Sequence, residues 1–484
     1  MSEKLHVVFP TPEMAPFLKT GGLADVSGAL PKALARLGHR VTVIMPRYGQ
    51  IPFPPGELLG SLAVPMGGSG GASLGAGLYG TRTAAGVEVV FVDFPPFFDR
   101  PAPYGEYEDN ALRFAFFARA VLEFCRTRGE RPSVFHAHDW QTGLVPVLLK
   151  AAYSSDPILG RVASVFTIHN VAYQGRFALD TIAALGLPWI VGGTEALGHD
   201  GGVSYLKGGT LFAEMASTVS PTYAREIQGP EHGFGFEDVV RSRARDVVGI
   251  LNGVDYEEWD PRVDRHIARR YAPRDVSRGK AAAKAEVLRA FGLPEDGDLP
   301  LVGVISRLVW QKGFDIVAEA WWDFLNRPLR MVVLGTGEAS VQAGLAELAA
   351  RDPRRFGVKF TYDEALAHRV MAGSDVFLMP SRSEPCGLTQ MYALRYGTVP
   401  IVRTTGGLAD TVEPFDRATD AGTGFRFDHP DGTGLLWAVD RALEALGDPS
   451  AWRKLQLRGM TKDFSWDRSA QDYVALYRQA MEKA

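Results

Sequence analysis

The chain has 484 residues, which exceeds the usual extent of one hydrophobic core and predicts two domains. Its composition, 46% hydrophobic and 22% charged, is that of an ordinary globular protein, and a net charge of −4 argues against a nucleic-acid-binding surface. Two cysteines cannot form a disulfide framework, and the sequence offers no signal peptide or membrane span, so we expect a cytoplasmic protein with no membrane partner.

The first half of the chain predicts alternating strands and helices. Proline lacks an N–H group and clashes with the preceding helical turn, so we expect Pro31 to kink or interrupt the first helix. The glycine-rich stretch 56–86 predicts an irregular or hairpin insertion, and the alternation favours a parallel sheet. The predicted strands are 5–9, 41–45, 89–93, 134–136 and 162–167, and the predicted helices are 23–37 and 112–125.

The second half repeats this alternation more regularly and predicts a second doubly wound domain. We place the hinge between the halves near Val254, because the stretch 255–300 is interrupted by prolines. The predicted strands are 301–305, 330–334, 358–361, 375–379 and 399–402, and the predicted helices are 314–324, 338–350, 364–372 and 388–396.

The hexapeptide Thr-Gly-Gly-Leu-Ala-Asp occurs at 20–25 and again at 405–410, and each copy opens a helix-like stretch. Adjacent glycines permit close backbone approach, and a helix N-terminus offers free N–H groups with a partial positive charge. Each copy therefore predicts an anion cradle, and Lys19 adds a cation beside the first copy. A cradle near each end of the chain indicates two lobes that face one charged ligand.

Three side chains of the metal-binding types, His136, His138 and Asp139, follow a predicted strand. They permit a metal site, although no separate Cys/His cluster completes one. They also permit polar capping of the helix that begins at Trp140, or a substrate contact by Asp139. The sequence favours the substrate contact and leaves the other two interpretations open.

Arg307 and Lys312 are two cations just after a predicted strand. An arginine can clamp a phosphate in bidentate fashion and a lysine acts as a point charge, so the pair suits a pyrophosphate. A solvated surface pair is the simpler alternative. Together with the glycines at 406–407, the pair favours phosphate contact.

Glu384 lies in the segment SRSEPCGLTQ, residues 381–390, after another predicted strand. Its carboxylate could bind sugar hydroxyls or act in acid–base chemistry, or it could cap the helix that follows. The backbone amides at 388–390 would open that helix and form a second anion or diol site. Cys386 fits a small buried position better than a reactive thiol.

Taken together, these motifs resemble the bacterial glycogen synthases and the plant starch synthases. The resemblance runs in order along almost the whole chain. The matching segments include KTGGLADVSGALP (19–31), HAHDWQTGLVP (136–146), TIHNVAYQGRF (167–177), LNGVDYEEWDP (251–261), ISRLVWQKGFD (305–315), SRSEPCGLTQMYALRYGTVPIVRTTGGLADTV (381–412) and FSW (464–466).

This resemblance implies the GT-B architecture, with two doubly wound Rossmann-like domains facing a central cleft. The implied domains are 1–253 on the acceptor side and 254–465 on the donor side, and a helix at 466–484 crosses back to the first domain. The implied activity is retaining transfer of glucose from ADP-glucose to the non-reducing end of an α-1,4-glucan such as glycogen. The family implies no cofactor and no metal.

The resemblance also implies roles for individual residues. In the first half, Lys19, Gly21 and Gly22 bind the donor, and Asp139 and His169 lie near the transferred glucose. In the second half, Arg307 and Lys312 neutralise the leaving diphosphate, Glu384 lies by the glucose ring, Leu388, Thr389 and Gly407 contact the donor, and Tyr362 stacks on the adenine.

Two other functions remain open for such an architecture. A nucleotide-sugar 2-epimerase would need no glucan acceptor, and a non-catalytic two-lobed sugar-binding protein would release no ADP. The sequence leaves open the preference for ADP-glucose over UDP-glucose, the acceptor length, allosteric control and the oligomeric state.

Overall fold

The computed structural model describes residues 3–67, 72–296 and 299–484. The described chain divides into two compact units. The first unit is Met1–Gly253 together with Trp466–Ala484, and the second is Val254–Ser465. The chain therefore passes from one unit to the other after Gly253 and returns before Trp466.

The strands of the first unit are named β1 to β12 in chain order. They are His6–Pro10 (β1), Arg40–Pro46 (β2), Glu57–Pro65 (β3), Ser73–Arg82 (β4), Glu88–Asp93 (β5), Val134–His138 (β6), Ala163–Ile168 (β7), Arg176–Phe177 (β8), Gly198–His199 (β9), Gly202–Ser204 (β10), Met215–Thr218 (β11) and Val247–Gly249 (β12).

The helices of the first unit before the crossing are named α1 to α10. They are Gly22–Arg36 (α1), Pro95–Phe98 (α2), Asn110–Thr127 (α3), Asp139–Thr142 (α4), Leu144–Ala151 (α5), Thr181–Ala184 (α6), Tyr205–Phe212 (α7), Pro221–Glu226 (α8), Pro230–Gly233 (α9) and Glu237–Ser242 (α10), and a 3-10 turn lies at Trp189–Gly192.

Among the described residues, nine strands form the large sheet of the first unit, in the order β12-β11-β7-β6-β1-β2-β5-β4-β3. The strands from β12 to β5 pair in parallel, as the apolar runs predicted. Strands buried on both faces need continuous apolar sequence, and β7 is buried along its whole length. The short strands β8, β10 and β9 make a separate small sheet.

The stretch predicted as an irregular or hairpin insertion is an antiparallel hairpin of β3 and β4, which extends the large sheet beside β5. Five consecutive residues at the start of β3 are exposed, which is typical of an edge strand that covers little core. Residues 68–71 of the predicted insertion lie outside the described part of the chain.

The second unit contains strands β13 to β18 and helices α11 to α19. The strands are Leu301–Ile305 (β13), Arg330–Leu334 (β14), Phe356–Lys359 (β15), Val376–Met379 (β16), Val399–Arg403 (β17) and Phe425–Phe427 (β18). The helices are Val276–Phe291 (α11), Phe314–Glu319 (α12), Trp321–Phe324 (α13), Ala339–Arg351 (α14), Glu364–Gly373 (α15), Thr389–Arg395 (α16), Gly406–Thr411 (α17), Gly432–Leu446 (α18) and Pro449–Thr461 (α19), with 3-10 turns at Pro273–Asp275 and Trp310–Lys312.

In the described chain the six strands of the second unit pair in parallel, in the order β15-β14-β13-β16-β17-β18. This is the strand order of a dinucleotide-binding Rossmann sheet. One core cluster lies where α12, α14 and α18 pack on the sheet, and a second lies under α11 and α15. Both units are therefore Rossmann-like α/β structures.

The C-terminal helix, Trp466–Lys483, packs in the first unit. Its apolar stripe, Trp466, Tyr473, Val474, Leu476 and Tyr477, is buried. The Tyr477 hydroxyl forms a 2.8 Å hydrogen bond with Nδ1 of His136 on β6, and Arg36 of α1 forms a 2.7 Å ion pair with Asp467. This helix therefore covers part of the first unit's core.

Three sequence predictions differ from the structure. Pro31 does not interrupt the first helix, which continues to Arg36, because ten of its residues are buried and this packing outweighs the lost hydrogen bond. The helix predicted at 314–324 is divided at Ala320 into α12 and α13. We predicted no helix in the proline-interrupted stretch 255–300, which contains the 16-residue helix α11.

No helix among the described residues is long and apolar enough to span a membrane.

Candidate active site

Each large sheet has a point where the strand order reverses, between β1 and β6 in the first unit and between β13 and β16 in the second. Ligands of open parallel sheets bind beyond the carboxyl ends of the strands at such points. The first glycine loop follows β1 and Asp139 follows β6, whereas Arg307 follows β13 and Glu384 follows β16. Each unit therefore brings predicted site residues to its own switch point.

The first hexapeptide forms the N-terminus of α1, and its glycines are exposed. A Cβ atom at Gly22 would meet no other atom within 4 Å, and one at Gly21 would only approach Glu13 at 3.9 Å. The backbone of Gly21 is extended, with φ −156°. Neither packing nor backbone conformation therefore requires glycine here, and the open loop leaves room for the close approach of a ligand.

Lys19 stands beside this loop and forms an ion pair with Asp25 at 2.6 Å. The lysine side chain is 47% exposed, so solvent screens the pair and makes it weak. A phosphate placed at the helix N-terminus could compete for the ammonium group.

We did not predict a role for Glu13, whose buried side chain holds the glycine loop in place through hydrogen bonds. Glu13 is buried, and its carboxylate accepts hydrogen bonds from the Thr20 amide at 2.8 Å, the Thr20 hydroxyl and the Ala24 amide. Burial raises the pKa of this carboxyl group, although the bonds from Thr20 and Ala24 act against the rise. Its position just after β1, at the carboxyl edge of the sheet, was the available sequence signal.

Asp139 and His169 are brought together. The Asp139 carboxylate accepts a 2.7 Å hydrogen bond from the His169 amide, and its backbone adopts the left-handed region with φ +53°. Burial raises the pKa of Asp139 to about 7, even though the amides of His169 and Asn170 favour the ionised form. A strained backbone and a strongly shifted carboxyl group are features that cluster at functional sites.

Three imidazoles form a row behind Asp139. His138 Nδ1 lies 3.1 Å from His169 Nε2, and the His136 and His138 rings are 4.1 Å apart. Burial lowers the pKa of His169 to about 3 and lowers the pKa of His136 and His138 as well, so the row is neutral near pH 7.

One member of this row, His136, does not fit the metal interpretation. Both ring nitrogens of His136 are engaged, Nδ1 by Tyr477 at 2.8 Å and Nε2 by Thr167 at 2.7 Å. A metal ligand needs a free lone pair, which His136 does not offer. Asp139 begins α4 but makes no side-chain hydrogen bond to it, so the capping interpretation also lacks support.

In the second unit, the two predicted phosphate-binding cations have different surroundings. Arg307 is exposed, and its guanidinium has no ion-pair or hydrogen-bond partner among the described residues. Lys312 instead forms a 2.6 Å ion pair with Glu384, which also accepts a 3.0 Å hydrogen bond from the Ser381 hydroxyl. Glu384 is only 6% exposed, so Lys312 supplies the counter-charge of a buried carboxylate.

The second hexapeptide has the same sequence as the first but different surroundings. Gly406 and Gly407 are buried, and a Cβ atom would lie 2.0 Å from the Glu384 carbonyl oxygen or 2.1 Å from that of Cys386. The Gly407 amide donates to the carbonyls of Glu384 and Pro385, both at 3.2 Å, so it is used inside the protein. The geometry therefore gives these glycines a packing role in place of the predicted second anion cradle.

The other residues predicted to contact the sugar donor are more exposed to solvent. Leu388 and Thr389 are partly exposed at the start of α16, and their amides have no acceptor within the described chain. The Tyr362 ring, after β15, is 75% exposed. Cys386 is buried, as the sequence favoured.

Comparison with known proteins identifies the family of this chain. The family described as starch synthase catalytic domain matches residues 6–242, and the family described as glycosyl transferases group 1 matches residues 289–454. Glycogen synthase from Anaeromyxobacter sp. strain Fw109-5 is 50% identical and covers 98% of this chain and 99% of its own length. Glycogen synthase from Koribacter versatilis is 46% identical, with 99% of both chains covered.

Two solved structures place the fold. The catalytic domain of starch synthase IV from Arabidopsis thaliana, bound to ADP and acarbose, has a TM-score of 0.91 and 33% identity and covers 99% of this chain and 100% of its own. Sucrose-phosphate synthase from Thermosynechococcus elongatus has a TM-score of 0.62 at 16% identity, covering 99% and 100%, which supports the GT-B fold alone. The chain belongs to the glycogen synthase family and is a glycosyltransferase.

Proposed function

We propose that the chain transfers glucose from ADP-glucose to the non-reducing end of an α-1,4-glucan, retaining the anomeric configuration and releasing ADP. The observation that carries the proposal is the exposed Arg307, whose guanidinium has no partner among the described residues, at the same strand edge as the Lys312–Glu384 ion pair. The Arabidopsis relative, 33% identical over nearly the whole chain, has ADP bound in its structure.

The reaction needs positive charge where the leaving group forms. The bond between the anomeric carbon and the diphosphate oxygen breaks, so negative charge grows on the diphosphate while the glucosyl carbon becomes cationic. Arg307 can bind the diphosphate without first losing a protein partner, and Lys312 can share its ammonium between Glu384 and a phosphate oxygen. Charge stabilisation of this kind is commonly the largest contribution to such catalysis.

The first unit also carries groups that suit a sugar nucleotide. The open amides at the start of α1 and the Lys19 ammonium suit an anionic group. The neutral His169 ring and Asp139 suit hydroxyl groups of the transferred sugar, because both can exchange hydrogen bonds with them. The proposed acceptor is glycogen or another α-1,4-glucan.

We also propose that the transfer step needs no divalent metal. Arg307 and Lys312 supply the positive charge that a metal would otherwise bring to the diphosphate. Activity should therefore persist in EDTA, and loss of activity that Mg²⁺ or Mn²⁺ restores would refute this part of the proposal.

The experiment that tests the function measures ADP and UDP release from ADP-glucose and UDP-glucose, each with and without glycogen and with and without EDTA. We expect ADP release that requires glycogen and elongates it. Turnover of the sugar without a glucan would favour an epimerase, and binding without ADP release would favour a sugar-binding protein.

A further inference from the structure

A second group of ligand-type side chains lies in the second unit, outside the residues assigned to transfer. Glu258, Glu364 and His368 each offer one ligand atom, and these atoms lie within 4.8 Å of one another. Glu364 and His368 are four residues apart on α15, so they share one face of that helix. Glu258 comes from the segment that follows Val254.

The buried histidine of this cluster is held in one orientation. The His368 side chain is fully buried, its ring stacks on Trp259 at 3.7 Å, and its Nδ1 forms a 2.8 Å hydrogen bond with Asp264. Its Nε2 atom has no hydrogen-bond partner within the described chain. A buried nitrogen without a partner is costly, and this one belongs to a residue whose neighbours are two exposed carboxylates.

Asp264 sets which nitrogen of His368 carries the proton. Asp264 also accepts a hydrogen bond from the Tyr396 hydroxyl, so its carboxylate faces two donors, this hydroxyl and Nδ1 of His368. A carboxylate oxygen accepts a hydrogen bond from a proton-bearing Nδ1, which leaves the lone pair on Nε2. A carboxylate behind a histidine, fixing its tautomer in this way, is the usual arrangement behind metal-binding imidazoles.

We propose that Glu258, Glu364 and Nε2 of His368 bind a divalent transition-metal ion, with Zn²⁺ the best match. Imidazole with carboxylates suits Zn²⁺, whereas Mg²⁺ and Ca²⁺ take all-oxygen ligand sets. Zinc bonds of about 2.0–2.2 Å require only small movements of two exposed glutamate side chains toward a fixed histidine. The ion also relieves the repulsion between the two carboxylates.

The site has a structural consequence that is separate from glucosyl transfer. It ties the segment after Val254 to the first turns of α15 within the second unit. A ligand that binds only the folded state raises stability as its concentration exceeds the dissociation constant. Zinc should therefore raise the melting temperature, and EDTA should lower it without stopping the transfer reaction.

The test is calorimetric titration of the metal-free full-length protein with Zn²⁺, together with melting curves in Zn²⁺ and in EDTA. We expect about one Zn²⁺ per chain, and we expect Glu258→Gln and Glu364→Gln each to weaken binding by about tenfold or more. Both residues are exposed, so these variants should fold. Glu347→Gln, which changes an exposed glutamate on α14, is the matched control and should bind as the parent does.

Titration with Co²⁺ adds a spectroscopic readout, because nitrogen and oxygen ligation gives a characteristic visible spectrum. Absence of saturable binding to the parent would overturn the proposal, as would parental affinity in either glutamine variant. Displacement of Zn²⁺ by an equal concentration of Ca²⁺ would overturn the metal class. None of these results depends on which sugar nucleotide the protein uses.

Discussion

Arg307 gives the most direct test at the scale of single residues, because its guanidinium is exposed and has no protein partner in the described chain. We expect Arg307→Ala to lower kcat by about 10²–10³, the usual loss when one charge-stabilising group is removed, with little change in melting temperature. Steady-state kinetics at saturating ADP-glucose measures this effect.

The matched control is Arg354→Ala, which removes another exposed cation of the same unit whose contact with Asp296, at 3.4 Å, is weak. It should leave kcat unchanged. Near-parental kcat in Arg307→Ala would remove Arg307 from the leaving-group site. Lys312→Ala should also lower kcat, but it strands the buried Glu384 carboxylate and therefore lowers stability at the same time.

Glu384 can be tested by a substitution that removes charge and keeps size. Glu384→Gln retains an oxygen for the Ser381 hydroxyl and frees Lys312, whose side chain is 19% exposed and can reach water. We expect kcat to fall by about tenfold or more with a small change in melting temperature, measured by kinetics and thermal denaturation.

Ser381→Ala is the control for Glu384→Gln, because it removes one hydrogen bond and leaves the ion pair intact. It should retain most of the activity. If Glu384→Gln instead melted much earlier and kept its specific activity, the glutamate would have only a structural role.

Asp139 makes a prediction about pH. Its pKa rises from 3.8 to about 7 in the folded protein because of burial. Between these values the folded protein holds a proton that the unfolded chain has lost, so this residue makes stability fall as the pH rises. Asn does not titrate, so the stability of Asp139→Asn relative to the parent should increase from about pH 5 to about pH 8.

Urea unfolding of both proteins at the two pH values measures this difference, and titrations common to both cancel. Asp200→Asn makes the same exchange at another left-handed residue, with φ +47° against +53°, but at a side chain that is 61% exposed. It therefore controls for the backbone effect of asparagine. A difference between Asp139→Asn and the parent that is the same at both pH values would refute the prediction.

At the residue scale, the sequence predicted which edge of the sheet the polar residues occupy. It did not predict which partners those residues contact. Strand ends can be read from apolar runs, and parallel strands put those ends at one edge, so the Arg307 and Glu384 segments could be assigned to one edge of a sheet. The Lys312–Glu384 ion pair joins residues 72 positions apart, and no local spacing encodes such a contact.

At the scale of elements, the two copies of the hexapeptide show that one sequence can have different structural roles at two places in the fold. Gly22 is exposed and a Cβ atom there meets nothing within 4 Å, whereas a Cβ atom at Gly407 would lie 2.1 Å from the Cys386 carbonyl oxygen. We expect Gly22→Ala to keep the melting temperature and raise KM for the donor, because the added methyl group crowds a ligand and not the protein.

Gly407→Ala is the matched substitution at the same position of the second copy. It should lower the melting temperature clearly, since overpacking typically costs about 1–3 kcal/mol. Measurement of KM for the sugar donor and of the melting temperature for both variants tests these two expectations. An unchanged KM in Gly22→Ala would mean that the first loop does not approach the donor, and an unchanged melting temperature in Gly407→Ala would refute the packing role.

The elements themselves were predictable to different degrees. Strands such as Leu301–Ile305 and Arg330–Leu334 coincide with their apolar runs, because a strand buried on both faces must be apolar throughout. The β3–β4 edge was harder to predict, since the exposed residues at the start of β3 show little periodicity. Helix α11 was missed because prolines interrupt the stretch around it, although Val276, Ala283 and Val287 repeat at helical spacing and are buried.

At the scale of the whole molecule, the chain crosses between the units after Gly253 and before Trp466. Gly253 and Trp466, the two residues at these crossings, pack tightly against each other within the first unit: a Cβ atom on Gly253 would lie 2.6 Å from Trp466. The C-terminal helix thus belongs structurally to a unit whose other residues precede it by more than two hundred positions. Sequence periodicity identified its apolar stripe, but the unit that the stripe covers came only from the family resemblance.

The two cysteines make this arrangement testable, because each unit holds one buried cysteine thiol. Cys125 lies on α3 of the first unit at 2% exposure, and Cys386 lies in the second unit at 5% exposure. Burial also raises the pKa of the Cys125 thiol, so its reaction with a thiol reagent reports opening of the first unit.

Removing residues 466–484 should uncover part of the first unit's core and leave His136 without its Tyr477 partner. We therefore expect Cys125 to be labelled much faster in the truncated protein, Cys386 to stay protected, and turnover to fall. The conservative variant Tyr477→Phe, which removes only the hydroxyl group, should fall between the parent and the truncation. Equal protection of both thiols with unchanged kcat would show that the first unit does not depend on this helix.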